Sequence, residues 1–306
     1  MDAFDLIRQG KIKRYFRTTR KLNTPRLVSH ITQRAAGKEP LFLEESDYLC
    51  MLGLLKEIAQ NYELNVYAFC LMPNHVHLLL SPSHENLYDS MRDLFSRYAI
   101  QFNRKYERKG HLFGGPYRQA VCLDDSYLLA ASLYVHLNPV RAGLVSDLRS
   151  YRWSSWVLYC KDDAPKSFVD PDLILGLLSD GNSDCRDRYQ QLVEQAGGLQ
   201  TSHVLEQEDA IERFRTRLAS LFPALFTSVD RENKVARFSG LDLLSADELE
   251  RQIDAVKKAP LNPAPESRAA KRFLVEQLIA RGYKRSAIAD RLGVSRKTIY
   301  NILKSR

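Results

Sequence analysis

Two apolar runs stand almost end to end in this chain, Asn65 to Met72 and His75 to Leu80, with only Pro73 and Asn74 between them. The first run is rich in Val, Tyr and Phe and the second in Leu, and a proline cannot continue a central strand, so they read as two strands meeting at a break. The second run begins His75-Val76-His77. A period of two puts both imidazoles on one face of the strand, with their Cα atoms roughly 7 Å apart, and turns Val76 toward the core. That separation suits two ligands converging on one metal ion. Taken alone, His-x-His also describes two half-exposed polar residues.

The flanking segments extend the pattern. Arg26 to Gln33 alternates as a strand, with Leu27, Ser29, Ile31 and Gln33 on one face and Val28, His30 and Thr32 on the other. A helix is expected from Ser46 to about Tyr62, with Leu49, Leu52, Leu55 and Ile58 as its apolar stripe. A second runs from Leu87 to Arg108, striped by Met91, Leu94, Tyr98 and Phe102. Glycines 110, 114 and 115 with Pro116 mark a loop, and Tyr117 to Leu123 reads as a strand. Asp124 or Asp125 then caps a helix to about Leu137, which Asn138-Pro139 is expected to end. Strand, helix, strand, strand, helix, strand, helix predicts an α+β domain with a mostly antiparallel sheet over residues 1–160, residues 1–25 forming a basic arm. Residues 161–256 read as mostly helical without a legible motif, and 266–306 as a compact helical unit.

Charge is distributed unevenly. The net charge is +8, yet residues 1–34 carry +7 and residues 268–306 carry +9, which leaves −8 in between. Basic ends around an acidic body attract polyanions, nucleic acid above all, though solvated basic tails give the same count. Five scattered cysteines without a Cys-x-x-Cys pair indicate neither a disulfide framework nor a zinc knuckle. No apolar run is long enough for a membrane span, and Met1 to Gly10 lacks a signal's apolar core, so a cytoplasmic protein is expected.

Two segments point to DNA. From Arg97 to Arg118, cations (Arg104, Lys105 and Arg118 among them) alternate with aromatics, of which Tyr106, Phe113 and Tyr117 are candidate stacking rings for unpaired bases. At the C-terminus, Ala289, Gly293 and Ile299 occupy the small, turn and locking positions of a helix-turn-helix. Ser295 would cap the second helix, turning Arg296, Lys297, Thr298, Tyr300 and Asn301 outward to base edges and phosphates of duplex DNA. This unit would target duplex DNA or dimerise the protein.

The segment from Cys70 to Leu80 resembles the histidine–hydrophobe–histidine core of the HUH nucleases, and more narrowly the single-tyrosine transposases of the REP-associated group. His30 to Arg34, Tyr98 to Asn103, Gly110 to Phe113, Tyr117-Arg118, Tyr134 to Gly143 and Trp153 to Ser155 agree in order, so the resemblance covers about residues 11–160. It implies a nucleophile at Tyr134 that forms a 5′-phosphotyrosine link, a metal on His75 and His77, and single-stranded hairpin DNA as substrate. Magnesium or manganese suits the phosphate oxygens. Asn138 stands four residues after Tyr134, hence on the same helical face, as a third ligand where the broader family has glutamine. The basic arm, with Arg14 and Arg17, would grip the hairpin. Two other readings remain: a DNA-binding regulator that has lost cleavage, and a phosphodiesterase that activates water.

Overall fold

The computed structural model describes residues 21–37, 39–160, 167–179, 184–197, 210–232, 234–235, 246–258, 265–280, 283 and 285–304. Most of the basic arm, including Arg14 and Arg17, lies outside the described residues. Four strands form one antiparallel sheet: β1 (Ser29–Arg34), β2 (Leu64–Met72), β3 (His75–Pro82) and β4 (Arg118–Val121), in the order β2-β3-β1-β4. The α+β class and the antiparallel sheet expected from the sequence are both present. Directly opposed residues share a face, so one row runs Arg118–Thr32–His77–Cys70 across all four strands. Between Val66 and Ala68 the register shifts, with Tyr67 as the extra residue. That bulge lets Leu64 and Val66 share a core cluster with Phe69 and Leu71, while Ala68, Cys70 and Met72 join the cluster on the histidine face.

Helices α1 (Glu45–Asn61) and α2 (Leu87–Lys105) cover the other face. The stripe expected on α2 is buried as read. That on α1 is rotated: Met51, Leu54, Leu55 and Ile58 face the core, whereas Leu49 is 52% exposed. A second set of apolar residues at helical spacing competes within the same helix, and the sheet selects it. The helix also starts before Ser46, because the Asp47 carboxylate accepts from the Glu44 backbone N–H at 3.1 Å.

Helix α3 (Asp125–Arg141) lies on the histidine face and is buried nearly all round, from Leu128 through Pro139. The Asp124 side chain caps it by accepting from Tyr127 N at 2.7 Å. It does not end at Asn138-Pro139. Proline removes one ladder bond at about 3 kcal/mol, whereas burying Leu128, Leu129, Leu133, Val135 and Leu137 yields about 1.5–3 kcal/mol each. The helix therefore runs on to Arg141, and Gly143 just beyond its cap, with φ of +68°, carries a two-bond terminus: Gly143 N to Val140 O (3.0 Å) and Leu144 N to Pro139 O (2.9 Å).

Helices α4 (Asp172–Leu175), α5 (Cys185–Gly197), α6 (Ala210–Leu221) and α7 (Pro223–Glu232) share one apolar cluster with α3, so residues up to Val235 belong to the core of the first unit. Helix α8 (Ala246–Lys258) instead packs with α9 (Pro265–Ala280), α10 (Arg285–Leu292) and α11 (Arg296–Lys304) in a separate cluster. His136 ties the first arrangement together. It is fully buried, with Nδ1 at 2.9 Å from the Tyr189 hydroxyl of α5 and Nε2 at 2.9 Å from Ser155 Oγ. Burial lowers its pKa to about 3.

The unfolded chain binds this proton near pH 6.5 and the folded chain only near 3, so the contribution is complete above 6.5 and is lost as the pH falls toward 3. His136→Gln, measured by chemical denaturation between pH 7 and 5, is expected to lack this one-proton slope of about 1.4 kcal/mol per pH unit. Equal slopes in the two proteins would place the acid sensitivity elsewhere.

Candidate active site

The histidines converge under α3. His75 and His77 rings lie 4.7 Å apart between centroids and nearly perpendicular. His30, on the neighbouring strand, stacks on His77 at 5.1 Å, with Nε2 2.9 Å from His77 Nδ1. Tyr134 meets both edge-on, 5.8 Å from His77 and 6.1 Å from His30. Tyr134 is 3% exposed, with Phe214 of α6 at 6.3 Å on its outer side.

His75 and His77 each have Nδ1 engaged. Asn74 Oδ1 lies 2.7 Å from His75 Nδ1 and, as an amide oxygen, accepts from that nitrogen. In His77 the Nδ1 faces His30, while Nε2 is buried and has no hydrogen-bond partner. Burial, with His75, His30 and Arg34 nearby, holds the His77 pKa well below the usual value, and burial lowers His30 to about 4. Both rings are neutral at pH 7. A buried, neutral, unpartnered imidazole nitrogen beside a second imidazole suits a divalent cation, so these residues fit the expected metal. Among the described residues no group of three or more His, Cys, Asp or Glu is arranged to hold a metal ion. Asn138, 4% exposed, donates Nδ2 to the Tyr134 carbonyl at 2.8 Å, which leaves Oδ1 as its acceptor end. A cleft of about 400 Å³ opens beside His75, lined by Pro40, Met72, Pro73, Asn74, Ala142 and Leu144.

Three residues without an assigned role in the sequence complete this site. His30 shares a face with Thr32 and His77, which the strand alternation of β1 implied. Asn74 was only a break residue. Arg141, seven residues after Tyr134 on α3, lies with Cζ 4.0 Å from the centre of the Phe214 ring and 5.9 Å from that of Tyr134. Burial lowers its pKa to about 10, and Arg217 pushes in the same direction.

The candidate DNA contacts divide. Arg118 shares its sheet face with His77, and Arg104 is exposed on α2. Lys105 is instead tied to the start of α1, 2.7 Å from Asp47 and in contact with Glu44, so its charge is neutralised within the fold. The proposed stacking rings are packed too. The Tyr106 hydroxyl donates to Asp47 at 2.8 Å, Phe113 packs edge-on to Phe95, and Tyr117 is buried. His84 pairs with Glu63 at 3.3 Å. In the C-terminal unit Ile299 is buried, Gly293 turns at φ +64°, and Ser295 Oγ accepts from Thr298 N at 3.0 Å. Arg296, Lys297, Tyr300 and Asn301 are exposed on α11, while the Thr298 hydroxyl lies 2.8 Å from Ser295 Oγ.

An antiparallel sheet carrying a paired-histidine face beneath a tyrosine-bearing helix is the arrangement that the resemblance to single-tyrosine transposases implied. Residues 24–138 match the family described as transposase IS200-like, and residues 266–305 match a homeodomain-like domain. A putative REP-associated tyrosine transposase of Haemophilus influenzae is 26% identical over 113 residues, 33% of this chain and 64% of that protein; the chain thus spans less than two thirds of the relative's length. A solved structure of a REP-associated tyrosine transposase bound to a REP hairpin aligns with a TM-score of 0.42 at 11% identity, over 52% of this chain and 94% of that one. The resemblance read from the motifs is therefore found in the IS200-like segment, and the C-terminal unit matches a homeodomain-like domain.

Asn74→Ala frees the His75 ring to turn and is expected to weaken Mn²⁺ binding by about 10–100-fold in isothermal titration, with the melting temperature little changed. Unchanged affinity would mean that Asn74 does not orient the ligand.

Proposed function

We propose that this protein is a metal-dependent enzyme that nicks and rejoins single-stranded DNA through Tyr134. The observation that carries this reading is the buried, unpartnered Nε2 of His77, set between His75 and the Tyr134 ring. The Tyr134 oxygen attacks a DNA phosphorus, the bond from phosphorus to the 3′ oxygen breaks, and that oxygen takes up a proton to leave a 3′ hydroxyl. The chain is then joined to the 5′ phosphate, and attack by another 3′ hydroxyl reverses the step and completes strand transfer. A bound Mg²⁺ or Mn²⁺, held by His75, His77 and the Asn138 amide oxygen, would polarise the phosphate and offset the charge that builds on it.

The remaining roles belong to the chain. Helix α3 fixes Tyr134 against the sheet through a buried face, and the neutral His30 holds the His77 ring by its Nδ1. Arg118, on the histidine-bearing face, and the basic N-terminal segment supply positive charge for the backbone of a single strand or hairpin. The exposed Arg296, Lys297, Tyr300 and Asn301 suit duplex DNA, and a second copy of the chain could bind through the same C-terminal unit.

Incubating the protein with labelled hairpin oligonucleotides and Mn²⁺, followed by a denaturing gel, is expected to give a protease-sensitive covalent band. Tyr134→Phe abolishes it while binding persists, and His75→Ala or His77→Ala removes the cleavage. Cleavage without a covalent band would favour attack by water, and binding without either would favour a regulator.

A further inference from the structure

We propose that Arg141 is a phosphate-contacting residue, its guanidinium receiving the DNA phosphate that Tyr134 attacks and holding it in the tyrosine-linked state. The inference rests on the reading of Tyr134 as nucleophile. Its own basis is separate. Nε, Nη1 and Nη2 of Arg141 are all buried, and none has a hydrogen-bond partner. Its aromatic neighbours are the rings of Phe214 and Tyr134, and a ring face accepts no directed N–H bond of normal strength.

A buried guanidinium without a counter-charge is strongly disfavoured, and proteins seldom keep one without a use for it. Burial is the largest influence on it, Tyr134 acts in its favour and Arg217 against it, and no carboxylate is among the groups that act on it. The result is a buried cation beside the tyrosine with no hydrogen-bond acceptor. A phosphate is the anion whose shape matches the planar fork of donors. Position agrees as well, because Arg141 and Tyr134 are seven residues apart, two turns along one face of α3.

Two readouts test this. The first is thermal melting with and without inorganic phosphate, comparing the wild type, Arg141→Leu and Arg141→Lys. Phosphate should raise the melting temperature of the wild type and not that of Arg141→Leu. Without phosphate, Arg141→Leu should melt at or above the wild-type temperature, since it removes an uncompensated charge. The second is the rate of covalent adduct formation at saturating hairpin DNA. It should fall by about 100-fold in Arg141→Leu, with Arg141→Lys between. Equal stabilisation of wild type and Arg141→Leu by phosphate, a much lower melting temperature for Arg141→Leu, or an unchanged adduct rate would overturn the proposal. If the wild type forms no adduct, the nucleophile reading fails, and phosphate-dependent melting alone decides whether Arg141 receives the anion.

Discussion

The contact between His30 and His77 is the constraint on which the site depends. Burying one imidazole already requires that its nitrogens be satisfied, and here two are stacked in a region that keeps both neutral. Their mutual hydrogen bond satisfies one nitrogen of each and fixes the ring of His77, but it leaves His77 Nε2 without a partner under α3. The antiparallel register pairs Thr32 with His77 and His30 with Leu79, so the arrangement follows from strand alignment. Both ring nitrogens of the buried His136 are paired, whereas His77 Nε2 is not, and an orphaned nitrogen beside a second imidazole is a candidate ligand position.

Helix α3 sets the orientation of the side chains above that sheet face. One of its sides presents Tyr134 to the histidines, and another presents His136 to Tyr189 and Ser155, which locks the helix in rotation. Such anchoring matters for the role proposed for Tyr134, because a nucleophile must be held within a fraction of an ångström of its productive position. The helices after residue 167 complete the burial: Phe214 stands over Tyr134 and Arg141, so the segment without a legible motif forms the outer wall of the site. The C-terminal helices have their own core, shared with α8.

Much of this was legible in the sequence where the signal is local and periodic. The back-to-back strands, the α2 stripe, the face shared by His75 and His77, and the turn at Gly293 all follow from spacing. Reading failed where tertiary burial overrides a local preference. Asn138-Pro139 has the form of a helix stop, yet the apolar surface of α3 outweighs one lost hydrogen bond and the helix ends at Arg141. Alternating cations and aromatics between Arg97 and Arg118 resembled a stacking platform, but Lys105 and Tyr106 converge on Asp47, 58 and 59 residues away in sequence. Arg141 was invisible as a site residue because its isolation is set by Phe214, more than seventy positions later. The bulge at Tyr67 left no mark in the alternation.

Pulsed electron paramagnetic resonance of the Mn²⁺-loaded protein reads the metal assignment most directly, since it detects nitrogen nuclei bound to the ion. The structure predicts couplings from two imidazole nitrogens, falling to one in His77→Ala. A wild-type spectrum of fully hydrated Mn²⁺, with no nitrogen coupling, would contradict the assignment of His75 and His77 as its ligands.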